Sequence, residues 1–482
     1  MGLKFSALDK LISLMKSADY YLDAKTNQEI EERKTADNEL TSKLESESST
    51  RAIEDSKLQQ QITDNKAVVD QLVVDNLTSS DKTKALKAII DELNPGQKDI
   101  IYGFRRNNTD SNPSTRIEYL KDANAFVPIT VNKNDGTFDW GSWSEFVSSN
   151  IRPVMLSYDG QVVYELNHED TSKKLDGTDS DIANPDFAGN AMVEFANFKY
   201  VSRSTIGDYD YVYFSNRKIN DTYKDHAFID DNHISKNAFY FGMFHGAVDS
   251  ANRMRSIAEM EICRGKNAAT EKSYCQANGL GHDMISWSQV NYIWDLLTLL
   301  GKTDNLQATF GQGISTFDYN GGTNPFGWNV GQTKDKGCFF GESAGKNCVR
   351  TLWIEDLWGR AFQRCQGLIN DNGTFKVKLF GPYPTPSDAS SAYADYINTG
   401  LTTPAEGYVM TANCSEWGFL PKTTGGSATT FFCDYFYKND GGCRFALLGG
   451  AWRDGSLCGR YVNLNNSASN SNVNIGSRNS LS

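Results

Sequence analysis

The stretch that decides the fold is Leu447-Leu448-Gly449-Gly450-Ala451-Trp452, followed by Gly459, a polar run, and Asn474-Ile475-Gly476-Ser477-Arg478. Seven Asn and six Ser fill thirteen of the twenty positions from Asn463 to Ser482, too few apolar groups to bury a core on their own. Small polar side chains adapt to many hydrogen-bonding geometries, which suits a binding surface. Gly449, Gly450, Trp452 and Gly476 are the expected framework beneath it, because glycine permits backbone shapes that other residues resist and tryptophan supplies a large rigid anchor. Leu464, Val473 and Ile475 punctuate the polar run as buried anchors would. The alternative is a frayed Asn/Ser-rich tail.

These motifs resemble the terminal repeat of phage proteins with a C-type-lectin fold, which is shared with formylglycine-generating enzymes. In members of that family diversified by retroelements, the chain ends in a GG-x-W and IGFR-like frame. Ser477 stands where the family usually has Phe, which implies a less tightly packed last strand. The resemblance spans residues 151–482, with the specific motif confined to the final forty. It implies a phage tail-fibre or receptor-binding protein located in the virion and extracellular after host lysis.

Charge separates the chain into two parts near Asn94-Pro95-Gly96. Of 108 charged residues, 31 fall in the first 94 positions, and no Gly, Pro, Cys or aromatic residue interrupts Asp23 to Leu93. One seven-residue frame through this segment gives Ile30, Asp37, Leu44, Arg51, Leu58, Asn65 and Leu72. Leu40, Ile62, Val69 and Val73 complete a polar-interrupted seam, the pattern of a coiled coil. Two strands and three fit equally, although the fibres that the chain resembles are usually homotrimers. The expected organisation is an N-terminal docking helix (1–22, with Phe5, Leu8, Leu11, Ile12, Met15, Tyr20 and Tyr21, for which a cap folding back on the coil is the alternative), a coiled-coil stalk (23–94), a β-rich connector (95–150) and a lectin-like receptor-binding head (151–482). The fold class is therefore α+β, a helical stalk before a β-rich head.

Within the later part, Val162–Leu166 and Tyr209–Phe214 alternate as strands do. Asn134-Asp135-Gly136, Asp159-Gly160, Asp176-Gly177 and Asn372-Gly373 mark turns. Ser286 to Leu300 has the spacing of a buried amphipathic helix ended by Gly301, and Trp353 to Gln366 that of a shorter one.

The net charge of −12 argues against nucleic acid as a partner. No apolar run is long enough to cross a bilayer, and Met1-Gly2-Leu3-Lys4-Phe5-Ser6 matches a myristoylation pattern short enough to arise by chance. The nine cysteines lie between Cys263 and Cys458 without zinc-like spacing, and free buried thiols are expected, with a few late bridges as the alternative. Candidate chemistry is thin. His226 to His233 with Asp225, Asp230 and Asp231 reads as a solvated acidic loop. Asp170, Asp179 and Asp181 lack the ordered oxygen pattern of an EF-hand, although the lectin resemblance admits calcium there. Gly311-Gln312-Gly313 and Gly341–Lys346 miss the phosphate-loop register. No formylglycine-type pair can be assigned, Cys443 and Cys458 being the nearest. The expectation is therefore no catalytic residue, metal or cofactor.

Arg444, Arg453, Arg460 and Arg478 against Asp454 give the ending a local charge of +3, suited to an anionic polysaccharide or an acidic outer-membrane protein patch. The expected receptor contacts are Arg453, Arg460, Tyr461, Asn463, Asn465, Asn466, Asn470 and Asn472. Other virion proteins would hold the N-terminus. A head fibre or capsid decoration protein, or a polysaccharide-degrading enzyme, are the alternatives.

Overall fold

The computed structural model describes residues 2–74, 99–318 and 327–482. The chain forms two compact units, 1–98 and 99–482.

Among the described residues of the first unit one helix runs from Gly2 to Val74. At a rise of 1.5 Å per residue it is about 110 Å long. It passes position 22 unbroken, so the expected docking segment and the described part of the stalk share one helix. Local pairs support it, including Lys34 with Glu31 and Arg51 with Glu47, each at 2.6 Å. Ile30, Leu40 and Leu44 of the expected seam are exposed, at 44%, 68% and 67%. The side chains of Leu58, Ile62, Asn65, Val69, Leu72 and Val73, those of Phe5 and Leu8, and all of 75–94 lie outside the described residues.

Among its described residues the second unit has three large sheets and three two-stranded ribbons. A five-stranded antiparallel sheet has the order 223–224, 200–206, 209–215, 101–107, 117–121. Ile101–Asn107 pairs along its length with Tyr209–Ser215. The expected boundary at 150/151 is therefore no seam: the connector contributes strands to a sheet that later residues complete, because the apolar faces of Phe104 and Ile117 need Val212 and Phe214 to cover them.

A six-stranded sheet runs 282–284, 479–481, 238–242, 189–196, 151–157, 162–165. The largest sheet takes the order 397–402, 374–377, 362–371, 443–448, 462–464, 435–438, 407–415, 418–424, with Ile475–Gly476 alongside Phe362–Gln363. Residues 475–481 thus belong to both sheets. Asn372 and Gly373, at φ 51° and 86°, form the tight hairpin expected of that pair.

Between the sheets lies the helix Trp287–Gly301, started by a capping box in which Ser286 accepts from Gln289 N at 3.3 Å and Gln289 Oε1 accepts from Ser286 N at 3.0 Å. Every residue from Trp287 to Leu300 is buried, so this helix is enclosed rather than amphipathic. Trp287 and Trp294 meet edge to face at 5.8 Å. The helix expected at Trp353 to Gln366 is instead two strands, Ile354–Glu355 and Phe362–Asp371. Leu352, Trp353, Asp356 and Arg360 all have positive φ, which no right-handed helix permits.

All nine cysteines are free thiols, and all but Cys414 are buried. No helix among the described residues is long and apolar enough to cross a membrane.

Candidate functional site

The polar ending is held at both ends by sheet. Val462–Leu464 lies antiparallel to Cys443–Leu448 and parallel to Tyr435–Lys438, with Tyr437 opposite Asn463. Successive strand residues face opposite ways. Phe436, Val462 and Leu464 therefore enter the core, while Tyr435, Tyr437, Tyr461 and Asn463 line a hollow on the other face.

That hollow has a volume of about 470 Å3. Tyr461 meets Phe362 at 5.3 Å and Tyr435 at 5.7 Å, both edge to face, which fixes an aromatic floor. Arg453, Asn465, Asn466, Asn472 and Asn474 border it. Six of the eight expected contacts are thus brought together: Arg453, Tyr461, Asn463, Asn465, Asn466 and Asn472. Tyr435, Tyr437, Phe362 and Asp454 were not anticipated, although the alternation around Phe436 carried the signal for the two tyrosines.

The loop above the hollow is ordered by its own side chains. Asn470 Nδ2 donates to Asn466 Oδ1 at 2.8 Å, and Asn470 Oδ1 accepts from Asn472 N at 3.0 Å. Asn470 is therefore spent on shaping the loop, which corrects its expected place among the contacts. Ser469 N donates to Asp388 at 3.0 Å, and Ala468 O accepts from Ala268 N at 2.9 Å. Arg364 also donates to the Asn470 carbonyl. Asn472 stays exposed.

Arg460 is a second correction. It is 1% exposed and lies within a buried ionic cluster. Its Nε donates to Asp434 at 3.0 Å, its Nη1 to Thr298 at 3.0 Å, and its Nη2 to Asp304 at 3.0 Å. Asp304 also accepts two bonds from Arg106, at 2.6 and 2.8 Å. Burial alone would raise the Asp304 carboxyl, but Arg106, Arg460 and Arg116 together hold it well below the usual range. Asp434 is pushed up to about 7, because burial outweighs the single guanidinium beside it. Arg478 is buried as well, donating to Gln363 Oε1, Gly242 O and Glu355 O at 2.8, 2.9 and 2.7 Å. The expected +3 face is therefore not assembled: two of its four arginines are structural. Of the residues lining the hollow, only Arg453 and Asp454 bring formal charge, and burial raises the Asp454 carboxyl.

The glycine framework sits directly beneath. Gly449 and Gly450 turn the chain at φ 87° and 79°. A Cβ on Gly450 would lie 2.5 Å from Cys458 Sγ. Trp452 is buried against Trp328, 5.3 Å away and edge to face. A Cβ on Gly476 would lie 2.7 Å from the Cys263 carbonyl. Ser477 is fully buried and its carbonyl accepts from Gly246 N at 2.9 Å, so the strand closes despite the small side chain.

The other candidate clusters are occupied by local structure. Asp230 accepts from Asn232 N and Ile234 N and pairs with Lys236 at 2.8 Å. Asp179 pairs with Lys173, Asp181 accepts from Tyr164 at 2.8 Å, and Asp170 accepts from Ser172. Gln312 N donates to Glu342 O at 2.7 Å, tying the two glycine-rich runs to each other. Cys443 packs near Ile369 and Phe445, away from Cys458 beneath Gly450.

No protein-family model matches the sequence, and no curated protein matches it. Among solved structures, the chain is similar to the Major Tropism Determinant I1 Variant, with 11% identity and a TM-score of 0.27 over 69% of this chain and 72% of that one. It is similar to the U1 Variant at 12% identity and a TM-score of 0.26, over the same shares. The M1 Variant gives 11% and 0.27, over 69% and 71%. These three solved structures are variants of one tropism determinant, at identities near one residue in nine.

Proposed function

We propose that this chain is a phage fibre adhesin of the retroelement-diversified, C-type-lectin-fold kind, which grips a bacterial surface receptor through the hollow above Tyr461. The observation that carries this is the convergence of Arg453, Asn463, Asn465, Asn466 and Asn472 on one aromatic floor, beneath a loop clamped at both ends. Tyrosine and asparagine on a rigid support form an adaptable contact surface at low entropic cost. With one guanidinium and one carboxylate at the hollow, the favoured partner is an uncharged polar epitope, a surface polysaccharide or an outer-membrane protein loop, rather than an anionic one.

The chain acts without catalysis. Self-association of the Gly2–Val74 helix, as a trimer, lets several weak sites engage a crowded cell surface together. Exposure of Ile30, Leu40 and Leu44 supports that association. Residues before Asp23 attach the fibre to other virion proteins.

The test is adsorption to host cells by virions carrying Asn465→Ala, Asn466→Ala and Asn472→Ala together. Adsorption is expected to fall at least about tenfold, the scale of losing interface hot spots, with the thermal midpoint no lower than that of Asn470→Ala, because Asn466 and Asn470 share one loop hydrogen bond. Asn470→Ala is expected instead to lower loop stability by about 1 kcal/mol, through two lost hydrogen bonds. Undiminished adsorption by the triple variant would refute the placement. New reducing ends in host capsule incubated with the protein would make it an enzyme instead.

A further inference from the structure

A second hollow, of about 340 Å3, opens elsewhere in the 99–482 unit. It lies between the hairpin of Thr130–Val131 and Phe138–Asp139, the segment Lys336–Phe340, and Glu169. Its size falls in the roughly 300–1,000 Å3 range of small-ligand sites. Nothing in the proposed adhesin mechanism uses it.

Its wall is aromatic and braced. Phe339 is buried, stacked on Phe310 at 5.3 Å and 17°. Phe138 meets Phe339 at 5.5 Å and Trp140 at 4.9 Å, both edge to face. Phe138, Trp140 and Phe340 are only half-buried, so their faces stay partly open. Two glycines allow the walls to close. A Cβ on Gly136 would fall 2.2 Å from the Phe340 ring, and one on Gly337 would fall 3.1 Å from Glu169 Oε2.

The rim supplies both hydrogen-bonding senses. Glu169 is exposed and offers an acceptor. The Lys336 ammonium is a donor, held 5.5 Å from the Phe340 centroid and 3.2 Å from Asp335. A pyranose ring presents that complement: an apolar C–H face for the aromatic wall, and equatorial hydroxyls that donate to a carboxylate and accept from an ammonium. We infer that this hollow is a saccharide subsite, taking one uncharged hexose unit of a surface glycan, separate from the hollow above Tyr461.

Saturation-transfer NMR on the full chain tests it, with the methyl glycosides of N-acetylglucosamine, glucose, galactose and mannose as probes. At least one is expected to receive saturation on its ring C–H protons. Trp140→Ala is expected to weaken that glycoside about tenfold, as removal of an aromatic anchor does. The exposed Glu169→Gln, which leaves the core untouched, is expected to weaken it about threefold to tenfold through loss of a charge-assisted bond. Tyr437→Ala should leave it unchanged. Absence of transfer to all four probes, or transfer abolished by Tyr437→Ala but indifferent to Trp140→Ala and Glu169→Gln, would overturn the assignment while leaving the adhesin proposal standing.

Discussion

Arg460 places Nη2 3.0 Å from Asp304 Oδ1, joining the segment that leads into the polar loop to a residue more than 150 positions earlier. Both side chains are at most 1% exposed, and the rings of Phe419 and Phe432 flank the guanidinium at 5.6 and 5.3 Å. Arg460 therefore serves stability, and its removal strands buried carboxylates. Arg460→Ala is expected to cost about 3–5 kcal/mol, as loss of one partner of a buried pair does. The exposed Arg453→Ala should stay within about 0.5 kcal/mol. Urea midpoints for the two variants make the comparison. Equal midpoints would return Arg460 to the surface.

Acidity acts on the same cluster through Asp434. Its carboxyl is raised from 3.8 to about 7 in the fold, so the native state holds the proton more tightly than the unfolded chain. The contribution is full below about pH 4 and is lost as pH climbs through 7. Asp304 has the opposite sign: its carboxyl is depressed, and its contribution disappears only in strong acid. From about pH 4 to 7, the thermal midpoint of the native protein should therefore decline relative to that of Asp434→Asn. A gap between the two that does not vary with pH would contradict this.

Gly450 cannot tolerate a side chain. At φ 79°, with Cys458 Sγ only 2.5 Å from the point a Cβ would occupy, alanine meets both backbone strain and a clash. Gly450→Ala is expected to destabilise by about 1–3 kcal/mol. Adding Cys458→Ala should recover only the steric part. Complete recovery in the double variant, measured by calorimetry, would show that the left-handed backbone carries no cost.

The proposed self-association would rest on the helix stripe. Replacing Ile30, Leu40 and Leu44 together by Glu should leave a monomer in sedimentation, because each exposed apolar side chain loses the partner surface that would bury it. The sheets of the 99–482 unit should keep their unfolding transition. An unaltered oligomer would locate the assembly surface elsewhere.

Local signals were legible in the sequence where the physics is local. Nothing between Asp23 and Val74 breaks a helix, and one helix forms. Ser286 and Gln289 spell a capping box, and Asn372-Gly373 a tight turn. Part of the hollow was also legible: six of the thirteen residues that line it were expected from the polar ending. What failed depends on distant partners. Arg460 and Arg478 look like surface cations until Asp304, Gln363 and Glu355 arrive from other strands. Asn470 is chemically identical to Asn472, and only the loop's internal bonds tell scaffold from contact. Trp353 to Gln366 has helical apolar spacing because the whole stretch is buried, which erases the periodicity that separates helix from strand.

Asn479–Leu481 is an inner strand, flanked by His282–Met284 on one side and Ala238–Gly242 on the other. A premature stop or a frameshift inside the Asn/Ser run would delete it and split the six-stranded sheet. In-frame substitutions from Asn465 to Asn474 leave it intact. Completion of that sheet thus depends on an unbroken reading frame through the polar run, and not on which side chains stand at the outward-facing Asn465 and Asn472.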